Sequence, residues 1–274
     1  MLRDSLVKLH VPKALETFSK VYFQMDVLGK TNLAMLRDQQ AMLVMNHTAF
    51  FALECYLIGS HLLSAYPELD YRTLVWKGFS EGPAGLWFRN LGCQTASIKA
   101  GQDLLHEGKS ILIMPEGVGA TDVRNRINPF HTGYLRMLQA KNVPIIPIGF
   151  HGIDQSIPWL VAHNAWLEKK LMKPVNPNFD FLLFPKLPVF RPTKVVFSVG
   201  QPIHLSKAHL KDEEALGATN ARIQQAISEL MSQAESHRQT AIGQSRLNKL
   251  YHKTLEGNIS KLRLPRLRRG SNRI

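Results

Sequence analysis

The sequence predicts an α/β layer fold, a mostly parallel central sheet flanked by helices, and three observations carry that expectation. Short apolar, β-rich runs alternate with longer segments of helical period along most of the chain. Several of these runs, such as Ile111-Leu112-Ile113-Met114 and Ile145-Ile146, are apolar without alternation, the habit of strands covered on both faces. The 274 residues are 45% apolar and 20% charged, which suits a globular domain with a sizeable core and excludes disorder or a coiled coil as a global description.

Taken in order, residues 12–28 read as an amphipathic helix with Leu15, Phe18, Val21, Tyr22 and Met25 on one side. Strands are expected near 41–45, 72–76, 94–98, 110–114, 144–149 and 194–199, with helices near 50–65, 83–91, 101–107 and 131–141 between them. Residues 160–192 are irregular: Pro174, Pro177, Pro185, Pro188 and Pro192 punctuate them, with Phe179, Phe181, Phe184 and Phe190 between, a pattern that suits a long excursion or lid. Residues 212–238 have helix-forming composition and close the domain. The expected organisation is an N-terminal amphipathic region (1–31), one central domain (32–240) and a basic extension (241–274).

Charge is the first departure from the average. Lys and Arg number 34 against 21 Asp and Glu, a net +13. Residues 246–274 hold nine basic side chains and one acid, Glu256, so this tail alone carries +8 and the remaining chain +5. Such a tail seeks an anionic surface, a phospholipid or nucleic acid, or serves solubility alone. Cys55 and Cys93 are the only cysteines, which leaves no disulfide framework and no cysteine-based zinc cluster and points to a reducing compartment. No apolar run reaches the roughly 18 residues of a membrane-spanning helix, and the first 13 residues lack a signal peptide's apolar stretch. The expected location is cytoplasmic, peripheral on the inner face of a membrane.

Two places in the sequence can carry chemistry. Asn46-His47-Thr48-Ala49-Phe50-Phe51 follows an apolar strand directly, and the carboxyl end of a strand is where open α/β sheets put their sites. An imidazole there can act as a general base near neutral pH, or it can be a satisfied histidine beside a helix N-cap. The second place is Met114-Pro115-Glu116-Gly117, where a buried strand stops at Pro and a tight turn leaves a carboxylate at the mouth of the sheet. Backbone N–H groups of such a turn can face an anion, and an ordinary turn with a solvated Glu fits the same residues. It is not a P-loop, since no Gly-Lys-Ser/Thr follows.

Together with Asn128-Pro129-Phe130-His131-Thr132-Gly133 and Val143-Pro144-Ile145-Ile146-Pro147-Ile148, these two places resemble the four ordered blocks of the glycerolipid and lysophospholipid acyltransferases. Lys77-Gly78-Phe79, Pro83-Ala84-Gly85 and Asn90-Leu91-Gly92 are similar to that family's acceptor block, and the resemblance spans residues 32–202. It implies a glycerol-3-phosphate acyltransferase-like fold. It also implies transfer of a fatty acyl group from acyl-CoA or acyl carrier protein to a hydroxyl of a lysophospholipid or related glycerolipid, with His47 as general base. No metal or other cofactor is implied beyond the acyl thioester as co-substrate. Asn46, Lys77, Pro115, Glu116 and Gly117 would contact the substrates, and an anionic membrane surface would be the partner that presents the acceptor. Nucleic acid is not an expected partner, because the body lacks a basic face interleaved with aromatics.

Two positions depart from the family pattern. The family places Asp five residues after its histidine, and here that position is Ala52. Glu54 is the nearest replacement, with Glu81 and Asp122 as others; on a regular helix Glu54 would stand roughly 10 Å along the axis from position 47, so only an irregular helix start would let it reach. The family's Thr-Arg after Glu-Gly is Val118-Gly119 here, and Arg124 or Arg126 would supply the guanidinium for a phosphate. Ala52 also raises a second reading, a catalytically weak or inactive relative that binds lipid.

Overall fold

The computed structural model describes residues 2–47, 53–81, 85–117, 127–156, 159–161, 183–185 and 192–244. By chain contacts it divides into two units, Met1–Ser156 with Pro192–Gln239 and Ile157–Arg191 with Thr240–Ile274. The described part of the second is an antiparallel pair, β7 (Trp159–Val161) with β8 (Leu183–Pro185), and the helical end 240–244. The Pro/Phe excursion otherwise lies outside the described residues, as does the +8 tail.

The first unit is built on a seven-stranded sheet of order β1-β9-β6-β2-β5-β3-β4, formed by β1 (Asp26–Leu28), β2 (Met42–Met45), β3 (Tyr71–Val75), β4 (Cys93–Thr95), β5 (Ser110–Ile113), β6 (Ile145–His151) and β9 (Val196–Val199). Neighbours are parallel except β6 and β9. The unalternating runs are its centre: Met42–Met45, Ile111, Leu112, Ile145 and Ile146 are fully buried. Helices α2 (Leu53–Ala65), α5 (Ile98–His106), α6 (Gly133–Leu138) and α7 (Glu213–Gln244) accompany it, with short α3 (Lys77–Ser80) and α4 (Gly85–Asn90) after β3. Leu104 and Leu105 of α5, Tyr134, Leu135, Met137 and Leu138 of α6 and Ile223, Ile227 and Met231 of α7 share one core with β2 and β5. Helix α7 lies so close to β6 that a Cβ on Gly149 would collide with the Leu230–Met231 backbone.

The N-terminal segment differs from its expected form. Helix α1 spans Leu2–Tyr22 and stops; Gln24 takes a left-handed conformation (φ 41°), and Asp26–Leu28 become the edge strand β1, parallel to β9. The buried face of α1 is also not the apolar one. Pro12, Glu16, Ser19 and Phe23 are buried, whereas Leu15, Phe18 and Val21 are 51%, 52% and 75% exposed. The physical reason is that the inward polar groups have partners on α2: Glu16 meets His61 at 2.8 Å, and the Ser19 and Ser60 hydroxyls are 3.3 Å apart.

Candidate active site

Sheet register brings the candidate residues together. Leu43, Leu112 and Thr73 lie in one row across the parallel strands β2, β5 and β3, and the residues four further along are His47, Glu116 and Lys77. Because the strands run the same way, all three leave the sheet at its carboxyl edge. The side-chain amide of Asn46, fully buried, accepts from the Phe150 N–H at 2.9 Å and so ties the end of β2 to β6.

The His47 side chain is 12% exposed, and its Nδ1 is hydrogen-bonded to the fully buried carboxylate of Glu54. His47 is not helical and Glu54 lies on α2 as described, Leu53–Ala65, so the axial separation of one regular helix does not apply to the pair. Of the other two carboxylates considered, Glu81 accepts from Thr95 Oγ1 at 3.1 Å, and Asp122 lies outside the described residues. Ala52, Arg124 and Arg126 also lie outside them. Burial by itself would depress the His47 pKa; the charge and hydrogen bond of Glu54, with the Glu116 charge behind them, more than offset it and hold the imidazole above its ordinary range.

Glu116 follows β5 in the turn Met114–Gly117, closed by Gly117 N–H to Met114 O at 3.3 Å with Gly117 in the left-handed region (φ 76°) that glycine tolerates. The residue is 5% exposed. Its Oε1 accepts from the His47 backbone N–H at 2.7 Å and its Oε2 from the Asn128 backbone N–H at 2.8 Å. Burial pushes its pKa up, and the two N–H bonds and the nearby imidazole offset this in part.

A cavity of about 420 Å³ opens beside these groups, lined by His47, Lys77, Pro115, Gly117 and His131 and, on its apolar side, by Leu74, Val75, Ile98, Ile113, Tyr134 and Met137 among others. Sequence reasoning singled out neither His131, Tyr134 nor Met137. The repeat of apolar residues at 134, 135, 137 and 138 marked a buried helix face but not that part of it lines a cavity. A buried acid–imidazole pair beside a largely apolar cavity can take a proton from a hydroxyl delivered with an apolar chain. Among the described residues, no cluster of three or more His, Cys, Asp or Glu could hold a metal.

Residues 24–151 match the model of the Acyltransferase family. The crystal structure of the 1-acyl-sn-glycerophosphate (LPA) acyltransferase PlsC from Thermotoga maritima is similar in fold, with a TM-score of 0.51 and 19% identity over 83% of each chain. The expected architecture, a mostly parallel sheet with flanking helices, is the one observed and the one this neighbour shares. No curated protein matches the chain in sequence.

Proposed function

We propose that this chain moves a fatty acyl group from a thioester, acyl-CoA or acyl carrier protein, to a hydroxyl of a lysophospholipid-type acceptor. One observation carries the reading: the His47 imidazole stands on a largely apolar cavity with Nδ1 bonded to a buried carboxylate. Glu54 fixes the tautomer and steadies the cation, which leaves Nε2 for the acceptor. In the reaction Nε2 takes the hydroxyl proton, the oxygen attacks the thioester carbonyl, and the carbon–sulfur bond breaks. The thiolate leaves as the thiol after protonation by the imidazolium, so atoms and charge balance without a covalent enzyme intermediate. The family match supports the reaction class, and the acceptor is taken by analogy with the T. maritima LPA acyltransferase.

The experiment is acyl transfer from oleoyl-CoA to a panel of lysophospholipids, with products identified by mass spectrometry and His47→Ala as control. Transfer lost in the variant supports the reading; no transfer to any lysolipid, with tight lysolipid binding retained, supports the lipid-binding alternative that Ala52 suggested. The pairing of Glu54 with His47 favours the enzyme.

For such an acceptor the surface of a bilayer is the workplace. No helix among the described residues is long and apolar enough to cross a membrane. Attachment would come from the exposed Leu15, Phe18 and Val21 of α1 and from the basic tail, near an anionic leaflet about 1 kcal/mol per basic residue. Deleting residues 246–274 should release the chain from phosphatidylglycerol vesicles at low salt; retention at high salt would assign the anchor to α1.

A further inference from the structure

We propose that Glu116 is a positioning residue for the base rather than a ligand of the acceptor: it locks the His47 backbone to the segment at Asn128, and this role rests on reading His47 as the base. Both carboxylate oxygens are committed to main-chain donors on two different loops, at 2.7 Å and 2.8 Å. The residue is buried, and among the described residues its neighbours Pro115 and Gly117, not Glu116, line the cavity, so an acceptor held there meets the turn rather than this carboxylate. The chemistry of the residue type fits the same role. Two N–H donors need two acceptors on one rigid group; a carboxylate offers two, whereas a glutamine amide offers one and turns its NH₂ toward the second donor.

The surroundings tighten the clamp. The His131 N–H donates to the Pro115 carbonyl at 2.9 Å, and the His131 ring lies over Gly117 so closely that an added Cβ would come within 3.1 Å of it. The turn after β5 is therefore held from both sides, and through Glu116 it sets where the His47 Cα sits at the cavity edge. A base displaced by an ångström loses most of its rate advantage, so a residue that never touches substrate governs turnover. Glu116 also adds a charge near the imidazole. The groups that face His47 are Glu54 from α2 and Glu116 from the β5 turn, and Lys77 and His131 line the same cavity.

The test is Glu116→Gln, assayed with oleoyl-CoA and 1-oleoyl-sn-glycerol-3-phosphate across pH, with the His47 ring followed by NMR. Expected are a fall in kcat of at least about tenfold, an acceptor KM within about twofold of wild type, and a His47 titration moved to lower pH. A raised acceptor KM at unchanged kcat would make Glu116 a substrate ligand and overturn the proposal. A fall in kcat with the His47 titration unmoved would leave only a structural role and overturn it equally. His47→Ala separates the two readings: if it keeps wild-type turnover, the base assignment fails, while the NMR shift in Glu116→Gln still reports the clamp. Should the variant not fold, the wild-type chain decides by itself. Its His47 and Asn128 amide protons should lie downfield and move together as Glu116 titrates, and independent movement would sink the idea.

Discussion

Two histidine–glutamate pairs meet on α2, one near each end, and they differ in what surrounds the carboxylate. At the start of the helix Glu54 serves the Nδ1 of His47, whose ring faces a cavity. Two turns later His61 gives its own Nδ1 to Glu16 of α1, and that carboxylate is shared with Lys20 at 2.8 Å. Burial works against ionised Glu16, yet the bonds from Lys20, Ser64 and His61 win and depress its pKa to about 2. A carboxylate saturated by donors holds helices together. One placed behind an imidazole that opens on an apolar cavity would, in the proposed reaction, support proton transfer. The same two residue types make a brace in one place and an acid–base pair in the other, and the difference lies in the third neighbour.

The largest test of that contrast removes each imidazole. His47→Ala should lower turnover by about 10² to 10⁴ with the fold retained, measured by initial rates and circular dichroism. His61→Ala should leave kcat within about twofold and cost roughly 1–3 kcal/mol in urea denaturation, since it strands the buried Glu16. Equal losses of turnover in both would erase the distinction.

Next come the carboxylates. Glu54→Gln should reduce kcat by about 10² or more, because the imidazole loses its fixed tautomer and its counter-charge. Glu16→Gln should act on stability alone, by at most about 3 kcal/mol and less where solvent screens the pair. Adding Ala52→Asp to the Glu54→Gln chain should recover part of the lost rate if spacing from His47 is what matters. No recovery would show that only the geometry at the start of α2 serves.

These carboxylates also mark where sequence reading stopped. The strands at the centre were legible because Met42–Met45 and Ile111–Ile113 are apolar without alternation, whereas the pairing register that aligns His47, Lys77 and Glu116 was not, because it is set between strands far apart in the chain. The Glu54 contact was legible only as a possibility, since seven residues on a regular helix keep side chains apart, and the pair meets because His47 itself is not helical. The partners of the opposite α1 face were not legible, because apolar spacing says nothing of Glu16 and Ser19 finding buried partners on another helix. Edge strand β1 was missed for a related reason: three residues carry too little pattern, and pairing with β9, far along the chain, makes them a strand.

The pH responses of the two pairs should run in opposite directions. His47 has a raised folded pKa, so its pair stabilises the fold fully below the ordinary histidine value of 6.5, and this is lost as pH rises through the raised value. Activity needs the neutral base and therefore fails the other way, as pH falls through that same value; its acidic limb should lie above 6.5 in kcat/KM. Glu16 has a depressed pKa, so its contribution is present above 4.5 and disappears as pH falls toward about 2. Denaturation midpoints at pH 3 and pH 6 should converge in Glu16→Gln relative to wild type. An unchanged difference would remove Glu16 from the acid response.

The smallest expected effect tests whether the brace belongs to the histidine at all. Lys20 is on the same helix as Glu16, one turn away, and its side chain is 56% exposed. An ion pair of that kind is worth about 0.3–0.5 kcal/mol, and salt weakens it further. His61 meets the same carboxylate from α2 with its side chain 9% exposed, so the interhelical contact carries the larger share. Lys20→Met should therefore cost no more than about 0.5 kcal/mol, a difference that shrinks at high salt, with turnover unchanged. A cost above about 1.5 kcal/mol that persists at high salt would make the lysine the partner that holds Glu16 ionised. The second pair would then be a Lys–Glu brace with a bystander imidazole, and His47 with Glu54 would be the one acid–imidazole pair that α2 supports.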